Sequence, residues 1–522
     1  MTTPLTSATT VGAKLSQPDR GHPSTPLHLI GISVGVFSVG LGLCTLLEAL
    51  STNRDTTPML VSTLVCATIG FTLWRFTTTG GVRSRDVFAA VGWTWLAMTV
   101  IGAVPYVLAG SFALPGVDLV EQIVDSLFES ASGFSCTGST ALIDFETPGR
   151  GLMMYRQFTQ WYGGMGMVVL AVAVLPFLGV GGLDLMTAEA PGPSSDRLAP
   201  RVSETARRLW TIYLMFTVVM IVALWLTPGP TLYDSVAHAL SATSTGGFSP
   251  YSQSIGYYDS VAVEIVIMAG LLFGGTNFAL HWRVARGDRR AYVRDPEFRG
   301  YAVMVTVVVG LVALALWLDD GLAFATSLRF GAFNVISLAT STGYGNATGP
   351  GAHGDFVMWA PAAQILLLFM FSVGACTGST SGGIKVMRVQ VLFAHALRSI
   401  RRTQQPRGVL VVKHGTTPVD EDIVSRMAGF FVLYVLLVVL GIVVVTSLGG
   451  DFETSVGSVV GSLGGMGPGL GEAGPTASFS DAFSQPARLV LALLMLIGRL
   501  EIFPMLLMFA ASYRALNDRL RR

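Results

Sequence analysis

Charged residues are scarce in this sequence. Only 12% of its 522 residues are Asp, Glu, Lys or Arg, whereas 51% are hydrophobic, and the mean hydropathy is +0.59. Soluble globular domains carry about 25% charged residues, so this composition excludes an ordinary soluble enzyme. The formal net charge of +1 also gives no excess of basic residues to attract a nucleic acid. The main solvent of this chain is therefore lipid.

Cysteine is almost absent, and no apolar stretch precedes the first long hydrophobic run. The four cysteines lack metal-type spacing, so neither a disulfide framework nor a zinc site is indicated, and we expect buried free thiols at Cys44, Cys66, Cys136 and Cys376. Residues 1–25 contain no signal-peptide core, which predicts a disordered cytoplasmic tail followed by insertion through the first span.

Long apolar runs, by contrast, are abundant. A bilayer-spanning helix needs roughly 20 apolar residues, and ten runs approach or exceed this length: 27–50, 58–76, 86–110, 155–178, 209–227, 261–280, 302–318, 358–392, 426–448 and 487–511. Arginine-rich segments fall in alternate connections, at 75–85, 283–299 and 398–413, and after the last span. The positive-inside rule places these segments, and both termini, in the cytoplasm.

Four short Gly/Ser/Thr segments recur between pairs of spans. They occupy 132–138, 243–248, 340–345 and 464–468, and we align them on Gly138, Gly246, Gly343 and Gly467. A half-length stretch, too short to cross a membrane, precedes each of them: 118–133, 231–243, 326–340 and 454–464. Ordinary turns between spans are the alternative, but independent turns have no reason to share a glycine register. The pattern favours four re-entrant loops around one axis.

Such loops suit a cation pathway. Irregular backbone at membrane depth is tolerated only where protein buries it or where it lines a watery cavity. A ring of carbonyl dipoles can replace the hydration shell of a cation, and the third segment resembles the T-V-G-Y-G filter of tetrameric K⁺ channels. The predicted selectivity filter consists of Cys136, Thr137, Gly138, Ser244, Thr245, Gly246, Ser341, Thr342, Gly343, Gly465, Met466 and Gly467.

The eighth run contains too much glycine to remain a lipid-facing helix, which predicts an intramembrane loop over 374–383. Two basic side chains, those of Lys385 and Arg499, also lie in apolar runs, where each costs about 3 kcal/mol. Lys385 either serves the loop or reaches the cytoplasmic interface. Glu501 is a poor partner for Arg499, because residues two apart do not face each other on a helix. We therefore expect Arg499 to face the pore.

Five motifs in order carry a resemblance to a known family. They are Arg-Ser-Arg-Asp at 83–86, Gln-Trp-Tyr-Gly-Gly-Met-Gly at 160–166, Asn-Phe-Ala-Leu-His at 277–281, Gly-Ser-Thr-Ser-Gly-Gly-Ile-Lys-Val at 378–386 and Gly-Arg-Leu-Glu at 498–501. With them the chain resembles the TrkH-type subunits of the Trk/Ktr/HKT superfamily of K⁺ transporters, from about residue 30 to 515.

This resemblance implies an all-α membrane protein that takes up K⁺ through a channel-like pore. Two extra transmembrane helices (26–78) would precede four fused M1-P-M2 repeats (helix, pore helix with filter loop, helix) around a pseudo-fourfold pore: 79–180, 181–285, 286–415 and 416–522. A homodimer in the inner membrane and a TrkA-like cytosolic regulatory subunit that binds nucleotide are also implied. This chain has no Walker motif, so we expect K⁺ as the bound ion and no cofactor.

The resemblance also places the intramembrane loop below the filter, where Arg499 could donate hydrogen bonds to loop carbonyls. The implied gate consists of Gly374, Thr377, Gly378, Ser379, Thr380, Ser381, Gly382, Gly383, Lys385 and Arg499.

Two filter segments depart from the family pattern. The first has Ser135-Cys136-Thr137 where three threonines are usual, and the fourth has Gly464-Gly465-Met466 where Asn-Asn-Leu is common. Because backbone carbonyls should face the ion, we expect conduction to be preserved. Plant relatives that favour Na⁺ carry Ser at the first glycine position, where this chain has Gly138, which implies K⁺.

Two other function classes remain as alternatives. An ion-coupled (H⁺ or Na⁺) K⁺ symporter often shows inverted repeats and midplane carboxylates, whereas the repeats here share one orientation and the acids well inside spans are Glu48, Glu264 and Glu501. An intramembrane enzyme needs a Ser/His, paired-Asp or H-E-x-x-H constellation, and His238 and His281 are isolated.

Overall fold

The computed structural model describes residues 22–78, 84–173, 198–408 and 410–500, together with Ile502, Met505 and Met508. Several predicted features lie outside the described residues: most of the N-terminal tail, Arg83, the last part of the fourth predicted span, Glu501 and the C-terminal arginines. Within the described ranges nearly all regular structure is α-helical, which confirms the predicted all-α class.

The helices are bounded as follows. The N-terminal half contains α1 (Thr25–Leu50), α2 (Thr56–Phe76), α3 (Ser84–Ala109), α4 (Leu119–Ser135), α5 (Arg150–Ala173), α6 (Leu198–Trp225) and α7 (Leu232–Thr243). The C-terminal half contains α8 (Val261–Gly274), α9 (Phe278–Ala285), α10 (Ala291–Arg294), α11 (Pro296–Leu318), α12 (Phe324–Ala339), α13 (Pro361–Ser372), α14 (Val386–Gln404), α15 (Glu421–Ser447), α16 (Phe452–Gly464), α17 (Phe479–Ala482) and α18 (Gln485–Leu500).

Strands and 3₁₀ turns are short. Strands β1 (His22–Pro23) and β2 (Thr77–Thr78) pair in parallel, and β3 (Lys413–His414) and β4 (Thr417–Pro418) form an antiparallel hairpin. The 3₁₀ turns are Ser254–Tyr258, Phe356–Met358 and Gly471–Ala473. Because these strands and turns are so short, the packing of the helices determines the architecture of the described residues.

Among the described residues, six helices are long and apolar enough to cross a membrane: α1, α2, α3, α6, α11 and α15. A seventh span is broken, because α8 and α9 meet at an angle of 98°. The sequence predicted one continuous span at 261–280, which is wrong. Gly275 ends α8, and the Asn277 side chain starts α9 by accepting a hydrogen bond from the amide of Ala279. The eighth predicted span is interrupted as expected, between α13 and α14.

The four short helices α4, α7, α12 and α16 match the predicted half-length stretches and lie at the centre of the molecule. Each packs between two other helices, and the contacts form a closed ring in the order α4, α5, α7, α8, α12, α13, α16, α18 and again α4. The long helices carry their exposed apolar side chains on the outside, as Val39 and Leu43 do on α1. The segments that follow the short helices therefore meet inside this ring.

Candidate ion-conduction site

The four short helices end in the same backbone conformation. The residue after each terminal turn has a positive φ: 54° at Cys136, 53° at Thr245, 54° at Ser341 and 73° at Gly465. The amide of the next residue then donates to the carbonyl oxygen five residues earlier, over 2.8 to 3.0 Å, in the pairs Thr137 to Ser132, Gly246 to Ser241, Thr342 to Ser337 and Met466 to Gly461. We call Cys136, Thr245, Ser341 and Gly465 the turn residues.

Positive φ at the turn residues is unfavourable for three of them. A non-glycine residue in this region is uncommon, and a β-branched one such as Thr245 is an outlier. Such conformations cost about 1 to 3 kcal/mol each and cluster at functional sites. The repeated strain therefore indicates that the segments after the helices serve a function.

The shared conformation corrects the predicted register of the second segment. The sequence aligned Gly246 with Gly138, Gly343 and Gly467. In the structure Gly247 has a φ of 86°, against 91° at Gly138 and 85° at Gly343, and Gly246 takes the place of Thr137 and Thr342. The Gly246-Gly247 pair allows either alignment in sequence, and the positive φ of Gly247 and the hydrogen bond from Gly246 to Ser241 distinguish the two alignments. The equivalent triplet is thus 245–247, not Ser244 to Gly246.

The glycines of the four segments approach one another so closely that no side chain fits between them. A Cβ atom on Gly138 would collide with the carbonyl oxygen of Gly246, and one on Gly247 with that of Thr342. A Cβ atom on Gly343 would lie 2.8 Å from the amide nitrogen of Gly467. A Cβ atom on Gly467 would lie 2.6 Å from the carbonyl carbon of Gly138. The four segments therefore form a closed ring.

Three side chains of this ring have partners within their own segments or in the apolar core. Thr137 Oγ1 bonds to Ser135 Oγ over 2.6 Å, and Thr342 Oγ1 bonds to Thr340 Oγ1 over 2.8 Å. Met466 packs in an apolar cluster. The two hydroxyls are thus satisfied within their own segments, and a filter of the predicted kind would use backbone carbonyls instead.

Beyond the ring, on the side of Ser139 and Ser249, lies an open vestibule whose lining includes Gly138, Gly247, Gly343 and Gly467. A buried ion pair supports its wall, since Arg156 Nε donates to Glu129 Oε1 over 2.7 Å. Glu129 also accepts from the amide of Ala141 over 2.9 Å, and Arg156 Nη1 donates to the Ser249 carbonyl over 3.0 Å. The pair thus joins the first segment to the second. The sequence interpretation missed it, although an arginine within the fourth apolar run was a signal.

Gln160 on α5 supports the second segment, and it too was not among the predicted site residues. Its Nε2 donates to the Gly246 carbonyl over 2.7 Å. Its Oε1 accepts from Ser241 Oγ over 2.6 Å and from the Phe248 amide over 3.1 Å. A single buried amide therefore fixes the helix end and both sides of the Gly246-Gly247 pair.

On the opposite side of the ring, the loop between α13 and α14 lies directly against the turn residues. The amide of Gly382 donates to Ser341 Oγ over 2.6 Å, and Thr245 Oγ1 donates to Thr380 Oγ1 over 3.2 Å. A Cβ atom on Gly382 would lie 3.2 Å from the Cα of Gly465. The loop therefore contacts three of the four turn residues.

Arg499 reaches the fourth turn residue and the loop at once. Its side chain is 2% exposed; Nη1 donates to the Thr380 carbonyl over 2.6 Å, and Nη2 donates to Cys136 Sγ over 3.1 Å. The loop and Arg499 together therefore contact all four turn residues. The sequence predicted that Arg499 faces the loop, but not its contact with Cys136.

Lys385 serves the loop itself. It is only 7% exposed, and its Nζ donates to the Ser381 carbonyl and to Ser381 Oγ, the latter over 3.0 Å. The alternative that Lys385 merely extends to the membrane interface is therefore wrong.

The other predicted gate residues shape the loop. The Gly374 amide closes its base by donating to the Ile384 carbonyl over 2.9 Å, and the Gly378 carbonyl accepts from the amide of Phe278 on α9 over 3.1 Å. Ser379 Oγ donates to the Cys376 carbonyl over 2.6 Å, and Gly383 has a φ of 70°. The loop is thus an ordered structure.

Comparison with known proteins identifies similar chains over nearly this whole length. The family model TrkH, described as a cation transport protein, matches residues 59–515. The Trk system potassium uptake protein TrkH of Salmonella typhimurium is 34% identical over 491 residues, which cover 93% of this chain and 98% of that one. The Halomonas elongata protein of the same name is 38% identical over 435 residues, covering 83% and 86%.

A solved structure is similar as well. The crystal structure of the potassium transporter TrkH from Vibrio parahaemolyticus superposes with a TM-score of 0.81 at 32% sequence identity. The match covers 92% of this chain and 97% of the other chain.

Proposed function

Because this chain belongs to the TrkH family of cation transport proteins, we propose that it takes up K⁺ through the ring of four glycine segments. It is a multi-pass membrane transport protein and not an enzyme. One observation carries the proposed pathway: the closed ring, with a vestibule on one side and the loop with Arg499 on the other. The vestibule opens onto this ring, and the loop with Arg499, which contacts its other side, is the obstruction that we propose to be removable.

The ring favours a cation for two physical reasons. Backbone carbonyls can replace the hydration shell of K⁺, and the C-terminal ends of α4, α7, α12 and α16 each contribute about half a negative elementary charge. K⁺ itself is the only ion required, and we propose no cofactor in this chain. The selectivity filter is 136–138, 341–343, 465–467 and, in the corrected register, 245–247.

The gate we propose is the loop 374–383 together with Lys385 and Arg499. A guanidinium below the filter repels K⁺, and the loop backbone occupies the space through which the ion would pass. Conduction therefore requires the loop to leave the turn residues.

Regulation by a partner is part of this proposal. A TrkA-like cytosolic subunit that binds nucleotide would dock against the basic surface around α14, where Arg401 and Arg402 are exposed and Arg398 pairs with Glu421. We further propose a homodimer in the inner membrane with cytoplasmic termini.

Purified protein in liposomes tests the function. With K⁺ on one side and Na⁺ on the other, we expect a reversal potential set by K⁺, because the carbonyl ring selects by replacing hydration. A potential that follows Na⁺ equally well would contradict K⁺ selectivity. K⁺ flux that stops unless a H⁺ or Na⁺ gradient drives it would favour the symporter instead.

Cysteine labelling tests the orientation. Arg286 is exposed in the arginine-rich connection after α9, so Arg286→Cys should resist an impermeant thiol reagent applied outside intact cells. Ser252→Cys, exposed at the rim of the vestibule, should react under the same conditions. The reverse pattern would show that the proposed topology is inverted.

A further inference from the structure

A buried carboxylate at the start of α11 was not among the predicted gate residues. Glu297 follows Pro296 in the first turn of this helix and is only 5% exposed. Burial of a carboxylate is costly unless donors surround it. The identity of its donors therefore indicates what the residue holds in place.

One oxygen of Glu297 receives three hydrogen bonds. Oε1 accepts from the amide of Thr377 over 2.7 Å, from Thr377 Oγ1 over 3.0 Å and from the amide of Met387 over 3.1 Å. Thr377 belongs to the loop 374–383, and Met387 lies in the first turn of α14. The carboxylate thus fastens both the loop and the helix after it to α11.

The same end of α11 holds the cytoplasmic elements in the proposed topology. Gln390 on α14 donates through Nε2 to the Pro296 carbonyl over 3.1 Å. Its Oε1 bonds to Nε2 of His414, in the β3–β4 hairpin, over 2.8 Å. If α14 moved away from α11, the Met387 amide would therefore leave Glu297. Glu297 is also the residue that holds Thr377.

We propose that Glu297 is a positioning residue that latches the loop in its closed form, and that movement of α14 releases the latch. Arg499 holds Thr380 from the filter side, and Glu297 holds Thr377 from α11, so the loop is anchored at two points three residues apart. This inference rests on the proposed function, because a latch has meaning only if the loop is the gate.

The test compares substitutions of Glu297 in the full chain, reconstituted without any partner. Glu297→Ala should raise K⁺ flux about tenfold, which corresponds to about 1.4 kcal/mol. It should also raise, to a similar extent, the rate at which a thiol reagent on the loop side modifies Cys376, which is 0% exposed next to Thr377. Cys376→Ser identifies the reacting thiol. Glu297→Gln retains the acceptor oxygen and should keep both quantities within about threefold of the unmodified protein.

Matched variants separate the latch from the gate. Asp295→Ala removes another acidic side chain from the same helix end, one that caps the Phe298 amide, and should change neither quantity. If Arg499→Ala raises both quantities and Glu297→Ala raises neither, the latch is overturned and the gate stands. If Arg499→Ala raises neither, the proposed gate itself fails.

A second variant covers the case in which Glu297→Ala does not fold. Thr377→Val removes only the hydroxyl donor to Glu297 Oε1 and should raise flux about threefold, since one of three hydrogen bonds is lost. Unchanged flux in this variant, or a Glu297→Gln variant as leaky as Glu297→Ala, would overturn the latch.

Discussion

Replacement of Arg499 by alanine is expected to raise K⁺ flux by tenfold or more in the absence of any cytosolic partner. The guanidinium donates to the Thr380 carbonyl and to Cys136 Sγ, so its loss removes the link between the loop and the first filter segment. It also removes a positive charge from the ion path, where repulsion at an effective dielectric constant of 20 amounts to about 4 kcal/mol at 4 Å. Tracer uptake into proteoliposomes measures the effect.

Deletion of residues 377–381 should raise flux in the same assay. Both changes remove one barrier, so the combined variant should gain much less than the product of the two single effects. Arg488→Gln is the matched control on α18, because Arg488 is equally buried but pairs with Glu121 and Asp125, away from the loop. Flux that falls in both single variants, with the protein inserted, would mean that the loop supports conduction.

The interruption of the eighth span and the burial of Arg499 in the tenth span could be predicted from sequence, because both features violate the rules for lipid-facing helices. Glycine and hydroxyl residues at 374–383 cannot sustain a helix, and Arg499 is too costly to leave unsatisfied. A loop carbonyl was an expected acceptor of Arg499, but Cys136 could not be predicted, since it comes from the first repeat and meets Arg499 only through packing of the helix ring. The break of the sixth span was missed because Gly275 and Asn277 are short interruptions in an apolar run.

Buried acidic residues were the other omission. Glu129 lies in a half-length helix, and Glu297 lies within an arginine-rich connection, where acidic residues normally face water. Their burial depends on donors from distant parts of the chain, Arg156 and Thr377. Sequence patterns report the period and polarity of one element, and these pairs become apparent only when elements are packed.

Substitution of Gly138 by serine is expected to lower the K⁺ over Na⁺ permeability ratio by about tenfold, or about 1.4 kcal/mol, without preventing insertion. Gly138 has a φ of 91°, which side chains rarely adopt, and its Cβ atom would collide with the Gly246 carbonyl oxygen. The ring must therefore deform at the carbonyls that would replace the hydration shell of the ion. Bi-ionic reversal potentials measure the ratio, and an unchanged ratio would exclude Gly138 from the filter.

Separate substitutions of the adjacent glycines Gly246 and Gly247 test which of the two is equivalent to Gly138 in the filter. Gly247→Ser should lower the permeability ratio as Gly138→Ser does, because its Cβ atom would collide with the Thr342 carbonyl oxygen inside the ring. Gly246→Ser should lower it less, because its Cβ atom would meet the Gln160 side chain outside the ring, and a side chain can move more readily than a backbone carbonyl. The two variants differ by one position and add the same atoms, so each controls for the other. A larger loss of selectivity at Gly246 than at Gly247 would restore the alignment of Gly246 with Gly138.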